Sequence, residues 1–185
     1  RDQQFLLPSW RSFLNNGSLG IAPRPVVAHV SDYLARYAAL DVTEYPRWGY
    51  ETMDAHRETL AAFVGCRKDE LALLHNATEG LSLVANGIDL NPGDEVVMTS
   101  LEHPSGKAGW AMRAKRHGIS VREVDMPSVP KNPGELAGLM TSAIGPRTRV
   151  LFFSGIFSPT GWIMPVREIC DAARAKGVIT VVDGA

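Results

Sequence analysis

The segment 149–185, RVLFFSGIFSPTGWIMPVREICDAARAKGVITVVDGA, decides how the chain is built. Residues 149–154 are a continuous apolar run of strand length. Residues 165–176 carry helical spacing, with Val166, Ile169, Cys170 and Ala173 on one side. Residues 178–182 are a second apolar run, rich in β-branched residues, and Asp183 follows at once. A buried strand, a crossover helix and another buried strand predict a right-handed βαβ unit with parallel strands. Both strands end in polar groups, Ser158-Pro159-Thr160-Gly161 after the first and Asp183 after the second. Ligands of open α/β sheets bind in the crevice beyond the carboxyl ends of the strands. The candidate site therefore belongs there.

Working outward from this unit, the same alternation continues towards the N-terminus. Apolar runs at 71–74, 95–99 and 120–124 read as strands, and 133–144 and 106–117 as helices, the latter capped by Gly118. A further helix begins after His75-Asn76-Ala77-Thr78-Glu79-Gly80 and carries Leu81, Leu83, Val84 and Ile88. The expected class is α/β, a doubly wound and mainly parallel sheet with flanking helices. Ahead of it, Pro23 and Pro25 suit the first turn of a helix running to about residue 40. Its apolar side is Val26, Val27, Val30, Tyr33, Leu34 and Tyr37. A loop at 41–49 holds Tyr45, Pro46 and Trp48, and a second helix over 50–64 stops at Gly65. We divide the chain into an N-terminal arm with helices, 1–65, and the sheet domain, 66–185.

Bulk properties narrow the classes. With 185 residues, 45% of them hydrophobic, the chain can bury one sizeable core. The 19 basic and 20 acidic residues are balanced, so nothing suggests a nucleic-acid surface or an acidic disordered tract. Cys66 and Cys170 lie far apart and read as reduced core residues. No apolar run reaches the ~18 residues of a membrane span, and no signal peptide opens the sequence. A cytoplasmic location is expected. Both ends look cut: the first residue is Arg, and the last follow directly on a strand. The segment reads as part of a longer chain or one piece of a split one.

Four groups near strand ends carry candidate chemistry. Asn76-Ala77-Thr78-Glu79 opens a helix, where unpartnered amides and the helix dipole favour an anion such as a single phosphate. Ordinary capping by Asn76 or Thr78 explains the same residues, and the glycine pattern of a nucleotide loop is missing. In Glu102-His103-Pro104-Ser105, the imidazole is placed to stack on a flat ring or move a proton; a histidine capping the next helix is the alternative. His29, His56 and His117 fall on helix surfaces and receive no role. Asp183, closing a buried strand, needs a partner. A protonated ring nitrogen would serve; a metal or a helix cap are the other options. The hydroxyl at Ser158 can donate to a phenolate oxygen, or the segment is simply a turn.

Together these groups match the periphery of pyridoxal 5'-phosphate. The order of FLNNGSLG (13–20), NATEG (76–80), EHPS (102–105), SPTG (158–161) and VVDGA (181–185) resembles the class V aminotransferase group of fold-type I pyridoxal phosphate enzymes. The isopenicillin N epimerase-like and cysteine desulfurase-like branch is the most similar. The resemblance implies the large domain of a pyridoxal phosphate-dependent transferase, incomplete in this segment. It implies that Ala77 and Thr78 bind the phosphate, His103 stacks on the ring and acts in catalysis, and Asp183 pairs with the ring nitrogen. Ser158 stands where many members carry Asn, whose amide bonds the ring hydroxyl. Asn16 is the substrate-side candidate.

The resemblance also implies a Schiff-base lysine downstream of the DGA motif, beyond residue 185. Lys68, Lys107, Lys115, Lys131 and Lys176 do not fit that place. The small C-terminal domain would lie beyond as well, so the segment alone is expected to be inactive. The expected function is a pyridoxal phosphate enzyme acting on an amino acid as its small-molecule substrate, by C–S cleavage or epimerisation. Transamination is the runner-up. A non-catalytic phosphate-binding module, or a degenerate partner subunit, is the rival from a different class. A homodimer is implied, with Tyr45 and Trp48 as residues to reach a partner's site or pack the interface. A second chain carrying the C-terminal part is a further partner. No metal, nucleic acid or membrane is expected.

Overall fold

The computed structural model describes residues 4–40 and 48–185, with side chains of the second helix described from residue 53. The chain divides into two compact units, Arg1–Leu73 and Leu74–Ala185.

In the first unit, α1 spans Arg24–Ala38 and α2 spans Trp48–Val64. Pro23 caps α1 and Pro25 sits in its first turn, where a missing N–H costs nothing. The helix forms as expected, yet Val26, Val30, Leu34 and Tyr37 along its apolar side stay exposed. Gly65, with φ at +80°, ends α2 in a conformation that side-chain-bearing residues rarely adopt. Arg57 of α2 then ties down the chain that follows. Its Nε donates to the Leu71 carbonyl and its Nη2 to the Lys68 carbonyl, both at 2.9 Å. Tyr45 and Pro46 lie outside the described residues, as does the side chain of Trp48.

The stretch 71–74 is not a strand. Leu71 is extended, but its carbonyl is taken by a guanidinium, and no ladder forms there. Alternation of strands and helices begins only at residue 95.

The second unit runs α3 (Ala77–Gly87), β1 (Glu95–Thr99), α4 (Pro104–His117), β2 (Ser120–Val124), α5 (Pro133–Ser142), β3 (Thr148–Ser154), α6 (Val166–Ala175) and β4 (Ile179–Asp183). The four strands form one parallel sheet in the order β2-β1-β3-β4. The βαβ unit read at 149–185 is thus β3-α6-β4. Every residue of β1 is buried, and all of β3 but Arg149. β4 differs from the buried strand expected, because it is an edge of this sheet. Ile179 and Val182 are 48% and 36% exposed.

Side chains alternate across a strand, so each strand serves two cores. Val96, Met98, Val150, Phe152 and Val181 face Leu81 and Ala85 of α3 and Trp110 of α4. Val97, Leu151 and Phe153 face Leu136 and Met140 of α5 and Ile169 and Ala173 of α6. Helices on both faces make the doubly wound arrangement that the alternation predicts. Gly106 sets the height of α4 over the sheet: a Cβ there would lie 2.8 Å from Cε1 of the fully buried Phe152.

The amino end of the sheet is locked by charge. Glu95 accepts from Nε and Nη2 of Arg122, both at 3.0 Å, and from the Thr148 hydroxyl at 2.7 Å. The guanidinium holds the Glu95 carboxyl below the usual carboxylate range. Asp94 meets Arg149 at 3.3 Å beside it. These pairs join β1, β2 and β3 where the strands begin.

Candidate functional site

Topology brings the starts of α3 and α4 to the carboxyl end of the sheet. α4 follows β1 after four residues. α3 precedes β1, so its C-terminus lies towards the strand starts and its N-terminus towards the strand ends.

At α3, Asn76 is the N-cap, and its Oδ1 accepts from the Glu79 amide at 2.9 Å. The Glu79 carboxylate turns back to accept from the amide of His75 at 2.8 Å and meets its Nδ1 at 2.9 Å. Those bonds hold the Glu79 acid below its ordinary range. Capping therefore uses Asn76 and Glu79. The amides of Ala77 and Thr78 keep no intrachain partner among the described residues. Ala77 and Thr78 are exposed. Ala77 stands one turn before Leu81, on the side of α3 that meets the sheet. The capping reading and the anion reading are compatible, because they use different amides.

At α4, His103 is the N-cap and is exposed. Its Nδ1 accepts from the Ser105 amide at 3.3 Å and lies 2.7 Å from the Ser105 hydroxyl. With Nδ1 accepting, the neutral ring carries its proton on Nε2.

At β4, Asp183 is 7% exposed, and its Oδ1 accepts from the Ala185 amide at 3.0 Å. Asp183 lies two residues past Val181, so it points to the face covered by α3 and α4. Ser154, its register partner on β3, lies two residues past Phe152 and shares that face. Ala77, Thr78, His103 and Asp183 thus gather at one end of the sheet and on one face.

Ser158 is placed differently. Phe157 and Trp162 are joined by an amide-to-carbonyl bond at 3.0 Å, and Ile156 bridges Ile163. Ser158 sits in the tip of this small hairpin, exposed, turned back at Gly161 with φ at +71°. Its hydroxyl makes no bond among the described residues, and the serine that closes β3 is Ser154. Asn16 lies in the first unit, exposed in a turn where the amides of Ser18 and Leu19 reach the Asn15 carbonyl at 3.3 Å.

Sequence reading passed over Glu102. It is 5% exposed at the carboxyl end of β1. One carboxyl oxygen accepts from the Thr99 hydroxyl, and the other from the Ser154 hydroxyl at 2.7 Å. Burial, with the charge of Asp183 adding to it, pushes the Glu102 acid up, against the pull of the two hydroxyls. The signal was present in the sequence: two apolar runs, EVVMT and LFFS, each close on a hydroxyl, and an acid follows the first by three residues. Among the described residues, no three of His, Cys, Asp and Glu gather to hold a metal ion. Nor is any helix there long and apolar enough to cross a membrane.

Helices on both faces of a parallel sheet, with polar groups collected at the strand carboxyl ends, define a doubly wound α/β ligand-binding segment. Comparison then gives the family. The chain belongs to the aminotransferase class-V family, whose model matches residues 13–185. It is 37% identical over 172 residues to isopenicillin N epimerase of Streptomyces clavuligerus, covering 93% of this chain and 43% of that protein. It is 29% identical over 181 residues to cysteine desulfurase of Serratia proteamaculans, covering 94% and 44%. Among solved structures, it resembles the cystine C-S lyase C-DES in complex with its product cysteine persulfide. The TM-score is 0.82 at 25% identity, over 95% of this chain and 48% of that one. A C-DES mutant with glycine covalently linked to the PLP cofactor superposes with TM-score 0.81, also at 25% identity, over 95% and 47%. The chain spans less than half the length of these relatives.

Proposed function

We propose that this chain is the cofactor-binding part of a pyridoxal phosphate-dependent enzyme acting on an amino acid, of the C–S lyase, desulfurase or epimerase type. One observation carries this reading: two unpartnered helix-start amides share a sheet face with a buried acid. A phosphorylated, protonated pyridine offers the complementary pair, an anion at one end and a cationic N–H at the other. The donor set therefore fits the group.

The amides of Ala77 and Thr78 donate to phosphate oxygens, the Thr78 hydroxyl adds a third donor, and the α3 dipole favours the negative charge. Asp183 accepts from the ring N–H with the oxygen not engaged by Ala185, and so keeps the ring cationic. His103 would lie beside the ring, with its Nδ1 held by Ser105. Ser158 donates to the ring hydroxyl oxygen if the hairpin tip reaches it. Asn16 serves the substrate side. When bound, the cofactor supplies an electron sink for the electrons left as a bond at the substrate α-carbon breaks.

The names of the relatives, epimerase and desulfurase, support bond changes at an amino acid. The family's own description keeps transamination as the second reading. Catalysis needs a lysine from outside residues 1–185, in the same chain or a companion one. A domain division at 1–65 and 66–185, a homodimer and a cytoplasmic setting belong to the same proposal. The free thiols of Cys66 and Cys170 suit a reducing compartment.

The test uses the complete protein. Mixed with pyridoxal phosphate, it is expected to show a visible band that borohydride abolishes, leaving a stable adduct. Absence of both band and adduct overturns the reading. Gel filtration of the complete protein is expected to give a dimer, and a clean monomer removes that part.

A further inference from the structure

Among the described residues, no cation bonds the buried carboxyl group of Glu102. Both of its oxygens are instead occupied by hydroxyls from two different strands, Thr99 on β1 and Ser154 on β3. It is a cross-strand bolt at the end of the sheet where the site lies. The next residue is His103, the N-cap of α4. Ser154, on its other side, is in register with Asp183. Glu102 is therefore the chain neighbour of one group assigned to the ring, and is bonded to the register partner of the other.

A carboxylate so placed is an odd choice for a mere bolt, since an unpaired buried charge is costly. The cost falls away if the group carries a proton. Hydroxyls can donate or accept, so Thr99 and Ser154 satisfy a neutral acid as well as an anion. Asp183 stands near enough to disfavour a second negative charge. The other charged side chains at this end are engaged elsewhere: Lys107 of α4 bonds the Ser100 carbonyl at 3.0 Å and Glu123 of β2 at 2.8 Å. His103 has its Nδ1 on Ser105.

We propose that Glu102 is a positioning residue of this site, a neutral acid that bolts β1 to β3 and fixes the turn delivering His103. This rests on the cofactor reading above. It makes Glu102 part of the site's electrostatics without contact to the ring.

The experiment uses the complete protein with pyridoxal phosphate, comparing wild type with Glu102→Gln, Glu102→Ala and the double variant Thr99→Val, Ser154→Ala. Cofactor affinity is read by titration, and the visible band of the bound cofactor is followed against pH. Glu102→Gln keeps a neutral group able to bond both hydroxyls, and is expected to bind within about threefold of wild type. Glu102→Ala and the double variant lose the bolt and are expected to bind about tenfold more weakly. This is the factor that about 1.4 kcal/mol produces. In wild type, the band is expected to change as pH rises through the ionisation of Glu102, above the usual carboxylate range. That step is expected to vanish in Glu102→Gln, an outcome that a purely structural role does not give. If Glu102→Gln binds as poorly as Glu102→Ala, the residue works as an anion and the inference is overturned. The same holds if Glu102→Ala matches wild type, or if the pH step persists in Glu102→Gln. A wild-type protein that develops no band overturns the cofactor reading, and this inference with it. A soluble Glu102→Ala protein is not required, because the other variants decide the question.

Discussion

The two ends of the sheet hold their acids in opposite ways. At the amino end, Glu95 sits against a guanidinium and a hydroxyl, and Asp94 meets Arg149. At the carboxyl end, the buried Glu102 and Asp183 are met by hydroxyls and backbone amides among the described residues. The pull on the two glutamates follows: Glu95 is held below its ordinary range, and Glu102 is pushed above it. Burial raises both acids and dominates at Glu102, whereas at Glu95 the Arg122 guanidinium outweighs it. An end that supplies its own counter-charge is finished as structure. An end that buries acid without one is where the proposed cofactor site lies.

Asp183 gives the largest test of this contrast. Asp183→Ala is expected to weaken pyridoxal phosphate binding by about 2–5 kcal/mol, the range for losing one partner of a buried charge pair. Because no described residue gives the acid a cation to lose, melting of the cofactor-free protein is expected to stay level or rise. A fall in that melting temperature, matching the loss in binding, breaks the contrast.

Glu95 is the converse. Glu95→Ala removes the acceptor of Arg122 and Thr148, and is expected to cost about 1–3 kcal/mol in chemical denaturation, tempered by the partial exposure of Arg122. Cofactor affinity is expected to hold. The pH profiles of stability sharpen the same point. A lowered folded-state acid stabilises above the ordinary carboxylate range, and its contribution fades as pH falls through the folded value. Glu95→Gln is therefore expected to flatten the acid side of the profile. A raised acid has the opposite sign: its contribution is present at low pH and is lost as pH rises through the folded value. Glu102→Gln is expected to gain on wild type as pH climbs through that window. Denaturation midpoints across pH check both, and parallel profiles for the two variants contradict the account.

The smallest effect is at α3. Ala77 is the first helical residue, where proline is tolerated, and Asn76 before it is extended, as a residue before proline prefers. Ala77→Pro deletes one free amide with little strain. Phosphate-dependent affinity is expected to drop about tenfold or less, near the worth of one hydrogen bond to a charged group. The melting temperature is expected to move little. An unchanged affinity removes Ala77 from the anion site.

Much of this was written in local pattern. Helix starts at Asn76, His103 and Asn132 are capped by their own side chains, and Pro23 and Pro25 open α1. The strands at 95, 120, 148 and 179 follow from apolar runs between turns. Periodicity failed at 71–74, because four apolar residues show a capacity to pair but not whether a partner is there. It also failed to separate central strands from the edge: β3 and β4 read alike, while only β3 has neighbours on both sides. The residues Ala77, Thr78, His103 and Asp183 were legible because each ends or begins an element, and such places are where polar groups stand out from an apolar run.

Tertiary structure decided what no window of the sequence holds. Glu102 and Ser154 are 52 residues apart and share a 2.7 Å bond. Whether an acid meets a cation, a hydroxyl or another acid depends on strand order and on the face to which it points. Order and face arise from packing the whole sheet between two helical layers. The sequence alone determined most segments that become strands and helices, 71–74 excepted, and that polar groups stand at their ends, because local propensity and capping act over a few residues. Charge pairing acts through space, so only the assembled sheet made one end a lock and the other a site.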